Sequence, residues 1–206
     1  MAAEADWTIR PREGLGRLEF GMSPAQVDSL SATYGTITGR GADRVADDLL
    51  RETLAMFGDA MSDDEKKAFI AAYADNGPPA DSVTEIRGDL VLRYEADRLC
   101  EIMPAGPRHP LFLDGSDVFA LPGLETLQLL ERLNASPGRY ADTEAAFDNL
   151  AISVNGFSAC DSATGVLAPY DSDERFQERT VTLREDPYLP EQEMHRYVLR
   201  SLLTGH

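Results

Sequence analysis

Hydrophobic periodicity along this chain changes in blocks. Helix-spaced apolar residues come first and strand-spaced ones follow, and then the same order returns. Ser23 opens the first helix. Pro24 takes the first helical position, Ser23 and Gln26 have capping-box spacing, and Met22 and Val27 stand at the staple positions. Gly35 supplies the stop. Residues 42–61 predict an amphipathic helix with Val45, Leu49, Thr53 and Met56 on its buried stripe, widened by Leu50 and Phe57. A second capping box, Ser62 and Glu65, begins another helix carrying Phe69, Ile70 and Tyr73 to about Ala74.

Strand patterns then take over at Val83–Ile86, at 90–94 and at 98–103, the last two joined by a Glu95-Ala96-Asp97 turn. Residues 106–110, "GPRHP", break the chain, and Asp114-Gly115 makes a further turn between apolar runs. Leu124, Leu127, Leu130 and Leu133 predict a helix ending near Asn134. Strands follow at 150–154 and 180–184, and a last helix is expected over 191–203, with Met194, Tyr197, Val198, Ser201 and Leu202 inward. Grouped rather than alternating elements predict an α+β fold, helices packed on an antiparallel sheet. The expected organisation is two helix-then-strands units in one compact body. One spans 1–105 with a helical insert at 42–75, and the other spans 111–206. Their residues do not match well enough to establish a repeat.

Charge narrows the partners. Thirty-six acidic residues oppose 19 basic ones, for a net charge of −17. Such a surface repels nucleic-acid phosphates and anionic membranes, and it steers basic partners inward. Cys100 and Cys160 stand far apart with no second Cys near either, the pattern of buried free thiols in a reducing compartment. The first ten residues have neither a basic start nor an apolar run, and no stretch is apolar enough to span a bilayer. A cytoplasmic location is expected.

"GRLEFGMS", Gly16–Ser23, has P-loop spacing but carries Met22 where the phosphate-binding Lys belongs, and Glu19 repels phosphate. Gly21 reads instead as a tight turn delivering the chain to the Ser23 cap. "GLGRLEFGMSPAQVDSL" resembles the opening of bacterial proteins that begin G-x-G-x-(I/L)-x-F-G-M-(S/T)-x-x-x-V, and "LVLRYEADRLCEIM", "FLDGSDVF" and the Leu-rich helix resemble their later part. The Gly21-Met22-Ser23…Val27 core is similar to repeats of SmpA/OmlA-type assembly lipoproteins and to the helix-loop-helix-plus-sheet units of β-lactamase-inhibitor proteins. The resemblance covers roughly residues 9–35 and 88–134. It implies a helix-plus-sheet fold and a habit of binding proteins, as in immunity proteins that neutralise a toxin, and it brings no catalytic residue.

The reactive side chains do not assemble into a known motif. His109 lies in the chain break, His195 lies beside the inner face of the expected last helix, and His206 ends the chain. No zinc-binding His spacing and no nucleophile elbow occur, and Cys100 sits in a strand pattern. Asp171, Asp173 and Glu174 lack the Gly and distal Glu of a calcium loop. No metal or other cofactor is expected. Residues 141–193 hold 12 acidic residues against three arginines, together with aromatic side chains. Tyr170, Asp171, Asp173, Glu174, Phe176, Glu178 and Tyr188 are therefore the expected partner-binding residues, with aromatics as anchors and carboxylates steering a basic partner. The function expected is non-enzymatic binding of a basic toxin domain. The alternatives are a small enzyme with an unrecognised site, gathering His109 or His195 with Cys100 or a carboxylate pair, and a structural or assembly subunit.

Overall fold

The computed structural model describes residues 6–56, 60–104, 109–161, 164–169, 179–189 and 193–203. Among these residues five helices pack with a large antiparallel sheet, an α+β fold. A small three-stranded sheet, β1 (Ile9–Arg10), β2 (Gly14–Leu15) and β3 (Leu18–Glu19), buries Ile9, Leu15 and Leu18. Gly21, at φ 84, turns the chain toward the main sheet. Its N–H donates to the Leu99 carbonyl at 2.8 Å, and the Leu99 N–H donates back to the Met22 carbonyl at 2.8 Å. Any side chain at Gly21 would be strained and would meet the Arg98 guanidinium at 2.8 Å.

Helix α1 (Pro24–Asp28) then starts as its capping residues dictate. The Gln26 N–H donates to Ser23 Oγ at 3.4 Å, and the Ser23 N–H donates to Gln26 Oε1 at 2.8 Å. The helix expected to run on to Gly35 is interrupted at Ser29-Leu30, and α2 (Ser31–Tyr34) completes it before Gly35.

The main sheet runs β14-β10-β11-β13-β7-β6-β5-β4, with β12 paired to β11. Its strands are β4 (Ile37–Ala42), β5 (Val83–Arg87), β6 (Leu90–Glu95), β7 (Arg98–Pro104), β10 (Gly138–Phe147), β11 (Ile152–Asp161), β12 (Val166–Pro169), β13 (Thr180–Arg184) and β14 (Val198–Arg200). The β6–β7 turn places Ala96 and Asp97 at φ 49 and 57, the left-handed pair that suits a two-residue hairpin. A second hairpin, β8 (Phe112–Leu113) and β9 (Ser116–Asp117), turns on Asp114 and Gly115 at φ 49 and 75 and joins the opening segment through a Thr8–Phe112 bridge. The two halves of the chain meet where β13 pairs with β7, Leu183 opposite Ile102 and Arg184 opposite Glu101. One sheet therefore runs through both halves.

Period-2 alternation puts Leu90, Leu92 and Tyr94, Ile102, Val181 and Leu183, and Ile152 and Val154 on one face, where they form the core. Helix α5 (Gly123–Asn134) packs on β10 and β11 and adds Leu127 and Leu130. Each fully buried Leu or Phe of this kind contributes about 1.5–3 kcal/mol. Asn134 closes α5. Its side-chain oxygen accepts the Asn149 N–H at 2.8 Å, and the Asn149 amide donates to its carbonyl at 2.6 Å.

Three expectations need correction. In α3 (Asp47–Met56) the buried residues are Leu50 and Leu54, whereas Leu49 and Met56 of the expected inner stripe are 53% and 79% exposed. Helix α3 meets α4 (Asp63–Asn76) rather than the main core, so the face it hides is not the one with most apolar residues. The last helix expected over 191–203 is, among its described residues, a single 3₁₀ turn at Met194–Arg196 followed by strand β14. Tyr197-Val198-Leu199 favours a strand, and the free edge of β10 supplies backbone partners. Glu131 on α5 then accepts the Leu202 N–H at 2.6 Å and also takes the Ser201 hydroxyl. The strand expected at 150–154 begins at Ile152, with Leu150 and Ala151 in the preceding turn.

Candidate functional site

Of the seven residues expected to bind a partner, Tyr170, Asp171, Asp173, Glu174, Phe176 and Glu178 lie outside the described residues. Tyr188 is described and 45% exposed. Its ring lies 5.0 Å beneath the Arg184 guanidinium, and its carbonyl accepts from Arg139 Nη2 at 2.8 Å.

Tyr188 borders a shallow polar groove on the outer face of the sheet. The alternation that puts Val181 and Leu183 in the core places Thr180, Thr182 and Arg184 on the opposite face of the sheet, beside Ser153 and Asn155 of β11, with Ser153 and Thr182 themselves buried there. With Glu144 from β10, these side chains line the groove. Arg184 is held in place, donating to Glu101 Oε2 at 2.8 Å and to Ser153 Oγ at 2.9 Å. At the rim, Arg139 makes a bidentate pair with Asp148, Nε to Oδ2 at 2.9 Å and Nη2 to Oδ1 at 2.7 Å, and it stacks on Tyr197 at 4.7 Å. Burial raises the Tyr197 phenol above its usual range, and Glu144 adds to the shift. The groove offers hydroxyls, an amide, one carboxylate and an aromatic edge, which is hydrogen-bonding chemistry. The alternating "TVTLR" was the signal for it, but alternation shows only that one face is outward, not that neighbouring strands make it polar too.

The two thiols and His109 are engaged in packing, whereas His195 is exposed and His206 lies outside the described residues. Burial pushes the Cys100 thiol up to about 11, against the lowering effect of Arg93, and Cys100 Sγ donates to the Arg93 carbonyl at 3.3 Å. Burial also raises Cys160. Such thiols are poor nucleophiles near neutral pH. His109 stacks on Trp7 at 4.3 Å with Asp89 at 3.2 Å from its Nε2. Among the described residues no His, Cys, Asp and Glu side chains group closely enough to hold a metal ion, and no helix is long and apolar enough to cross a membrane.

Among the described residues three arginines are turned inward. Arg87 and Arg179 are fully buried and Arg139 nearly so. Arg87 Nε donates to Glu85 Oε2 at 2.9 Å, and its Nη1 lies 3.1 Å from Asp28 Oδ1. Arg179 donates to the Leu121 carbonyl at 2.8 Å and lies 4.6 Å over Phe157. Glu85 and Glu131 are buried as well, so charge of both signs is withdrawn from the surface.

The second unusual region is the α3–α4 hairpin. It is anchored at its base, where the Asp43 N–H donates to the Ser82 carbonyl, the Val45 N–H donates to Tyr73 Oη at 2.8 Å and Arg44 lies 5.3 Å over the Tyr73 ring. Helix α4 has no fully buried residue, and Leu50 and Leu54 are not part of the main core. Comparison of the chain with protein-family models, with curated proteins and with solved structures finds no match.

Proposed function

We propose that this chain is a non-enzymatic binding protein that neutralises a basic protein domain, in the manner of a cytoplasmic bacterial immunity protein. The observation that carries the reading is the distribution of charge. The chain has 36 acidic and 19 basic residues, and Arg87, Arg139 and Arg179 are buried. Among the described residues these three arginines are matched by two buried glutamates, Glu85 and Glu131, so the acidic excess of the composition is carried almost whole on the surface offered to a partner. An acidic face can cover a basic site built for phosphates or nucleic acid, and long-range attraction speeds the encounter. The resemblance of "GLGRLEFGMSPAQVDSL" to the opening of a broad set of bacterial proteins, several of which look like immunity proteins, supports the same reading.

The test is co-expression with the basic product encoded beside this gene. Cells making that product alone should die, and cells making both should survive. The two proteins should copurify as a complex that weakens as salt is raised. Survival that does not depend on this chain, or a complex indifferent to salt, overturns the proposal.

A further inference from the structure

We infer that the α3–α4 hairpin is the docking element, and that its occupant is a cationic amphipathic helix presented by the partner protein. This rests on the reading of the chain as a binder of basic proteins, and it identifies the contacting surface.

Single exposed apolar residues are ordinary on protein surfaces, but a stripe is not. Leu49, Thr53 and Met56 stand at i, i+4 and i+7 on α3, a spacing that sets them on one face. Leu49 and Met56 are exposed, and on α4 Phe69 is 47% exposed. The helices run antiparallel, because Val45 at the start of α3 meets Tyr73 near the end of α4. Leu50 and Leu54 are the buried residues of α3 and Ile70 and Tyr73 are half-buried on α4, so with these as the inward faces of two antiparallel helices, helical periodicity sets Leu49, Met56 and Phe69 on the same side of the hairpin. Two helices with an apolar seam between them form a platform on which a third packs. The seam lies in acidic surroundings, for residues 42–76 contain nine acidic side chains against four basic ones. A helix with Leu or Phe on one face and Lys or Arg at its flanks satisfies both features.

The cost of the hairpin supports a role outside the fold. It orders 24 helical residues, ten in α3 and fourteen in α4, while Leu50 and Leu54 are its only buried residues among the described ones. Ordering a residue's backbone costs about 1–2 kcal/mol, which such slight burial offsets poorly.

The probe is a synthetic Leu/Lys helix of about five turns with all its Leu on one face. A scrambled peptide of identical composition is the control, and both are titrated into the full-length protein by fluorescence anisotropy. The intact protein should prefer the amphipathic peptide by about tenfold or more. The double variant Leu49→Asp/Met56→Asp separates apolar docking from charge. It makes the surface more acidic, so charge alone predicts tighter binding, whereas a buried seam predicts about tenfold weaker binding. Val166→Asp, on the exposed part of β12, should bind as the parent does. Phe69→Asp repeats the test from α4 should the double variant fail to fold. Equal binding of the scrambled peptide, or unchanged or tighter binding by the Asp variants, overturns the inference. If the Asp variants still neutralise the neighbouring gene product, the surface is wrong and the proposed function stands. If peptide discrimination holds but no neutralisation occurs, the function is wrong and the surface stands.

Discussion

Glu85 and Arg87 make the sharpest test of how the inner face of the sheet is held. They sit two residues apart on β5, so both point into the protein, and both side chains are wholly buried. Glu85 Oε2 accepts from Arg87 Nε at 2.9 Å, and its Oε1 lies 3.2 Å from Arg40 Nη1. Glu85→Gln keeps the shape and removes the charge, leaving the Arg87 guanidinium with Asp28 at 3.1 Å and the Ser31 hydroxyl at 3.3 Å. Breaking a buried pair costs about 3–5 kcal/mol. Asp28 remains and Arg40 can turn to water, so the low end, about 3 kcal/mol, applies. In a chain of this length that lowers Tm by about 6–12 °C. The double replacement Glu85→Leu/Arg87→Met removes both charges, and it should return stability to within about 1 kcal/mol of the parent or above it. Urea unfolding followed by circular dichroism measures all three proteins. A single substitution costing under about 1 kcal/mol, or a double variant as unstable as the single one, would refute the claim that desolvated charge governs this site.

Three further outcomes follow from the same geometry. Because burial raises Cys100 to about 11, alkylation at pH 8 should be at least about tenfold slower in the folded protein than in urea. The sign of the linkage follows, since the folded state holds this proton more tightly and stability should fall as pH rises from the usual thiol range toward 11. Ser62→Ala removes the α4 capping box at a local cost of about 1 kcal/mol. Amide exchange should accelerate in the first turn of α4 with little change in Tm, because α4 buries nothing in the main core. Truncation before Val198 uncovers the β10 edge and strips Glu131 of the Leu202 and Ser201 donors, so the shortened protein should lose stability and self-associate on size-exclusion chromatography.

What could be read from sequence was mostly what is encoded locally. The two capping boxes, the Ala96-Asp97 and Asp114-Gly115 turns, the α5 repeat and the alternation of β13 need only neighbouring residues, and each forms as expected. Strand β10 was missed because "GRYADTEAAF" mixes alanines with Asp142 and Glu144 and carries little β-branched signal. Tertiary pairing with β11 and β14 makes it a strand. Strand β4 was hidden by two glycines and is held at the sheet edge by β5 alone. The C-terminal segment shows the same override, a helical pattern that becomes a strand because β10 offers an edge. The groove beside Tyr188 draws Glu144, Asn155 and Thr182 from three strands, and their proximity depends on a register that no local pattern reports.

The error in α3 leads back to function. Periodicity locates the apolar stripe of a helix on the assumption that the stripe is buried in its own fold. Helix α3 has two apolar sectors about 130° apart, Leu50 and Leu54 on one and Leu49 and Met56 on the other. The fold covers only the first. A chain with a net charge of −17 has ample polar residues for a solvent-facing helix, yet it places Leu, Met and, on the next helix, Phe there. If those side chains served only packing within the chain, replacing Leu49 and Met56 with Asp would cost stability. If they serve a partner, Tm should hold within a few degrees while binding is lost, and that divergence distinguishes a misplaced core from an interface.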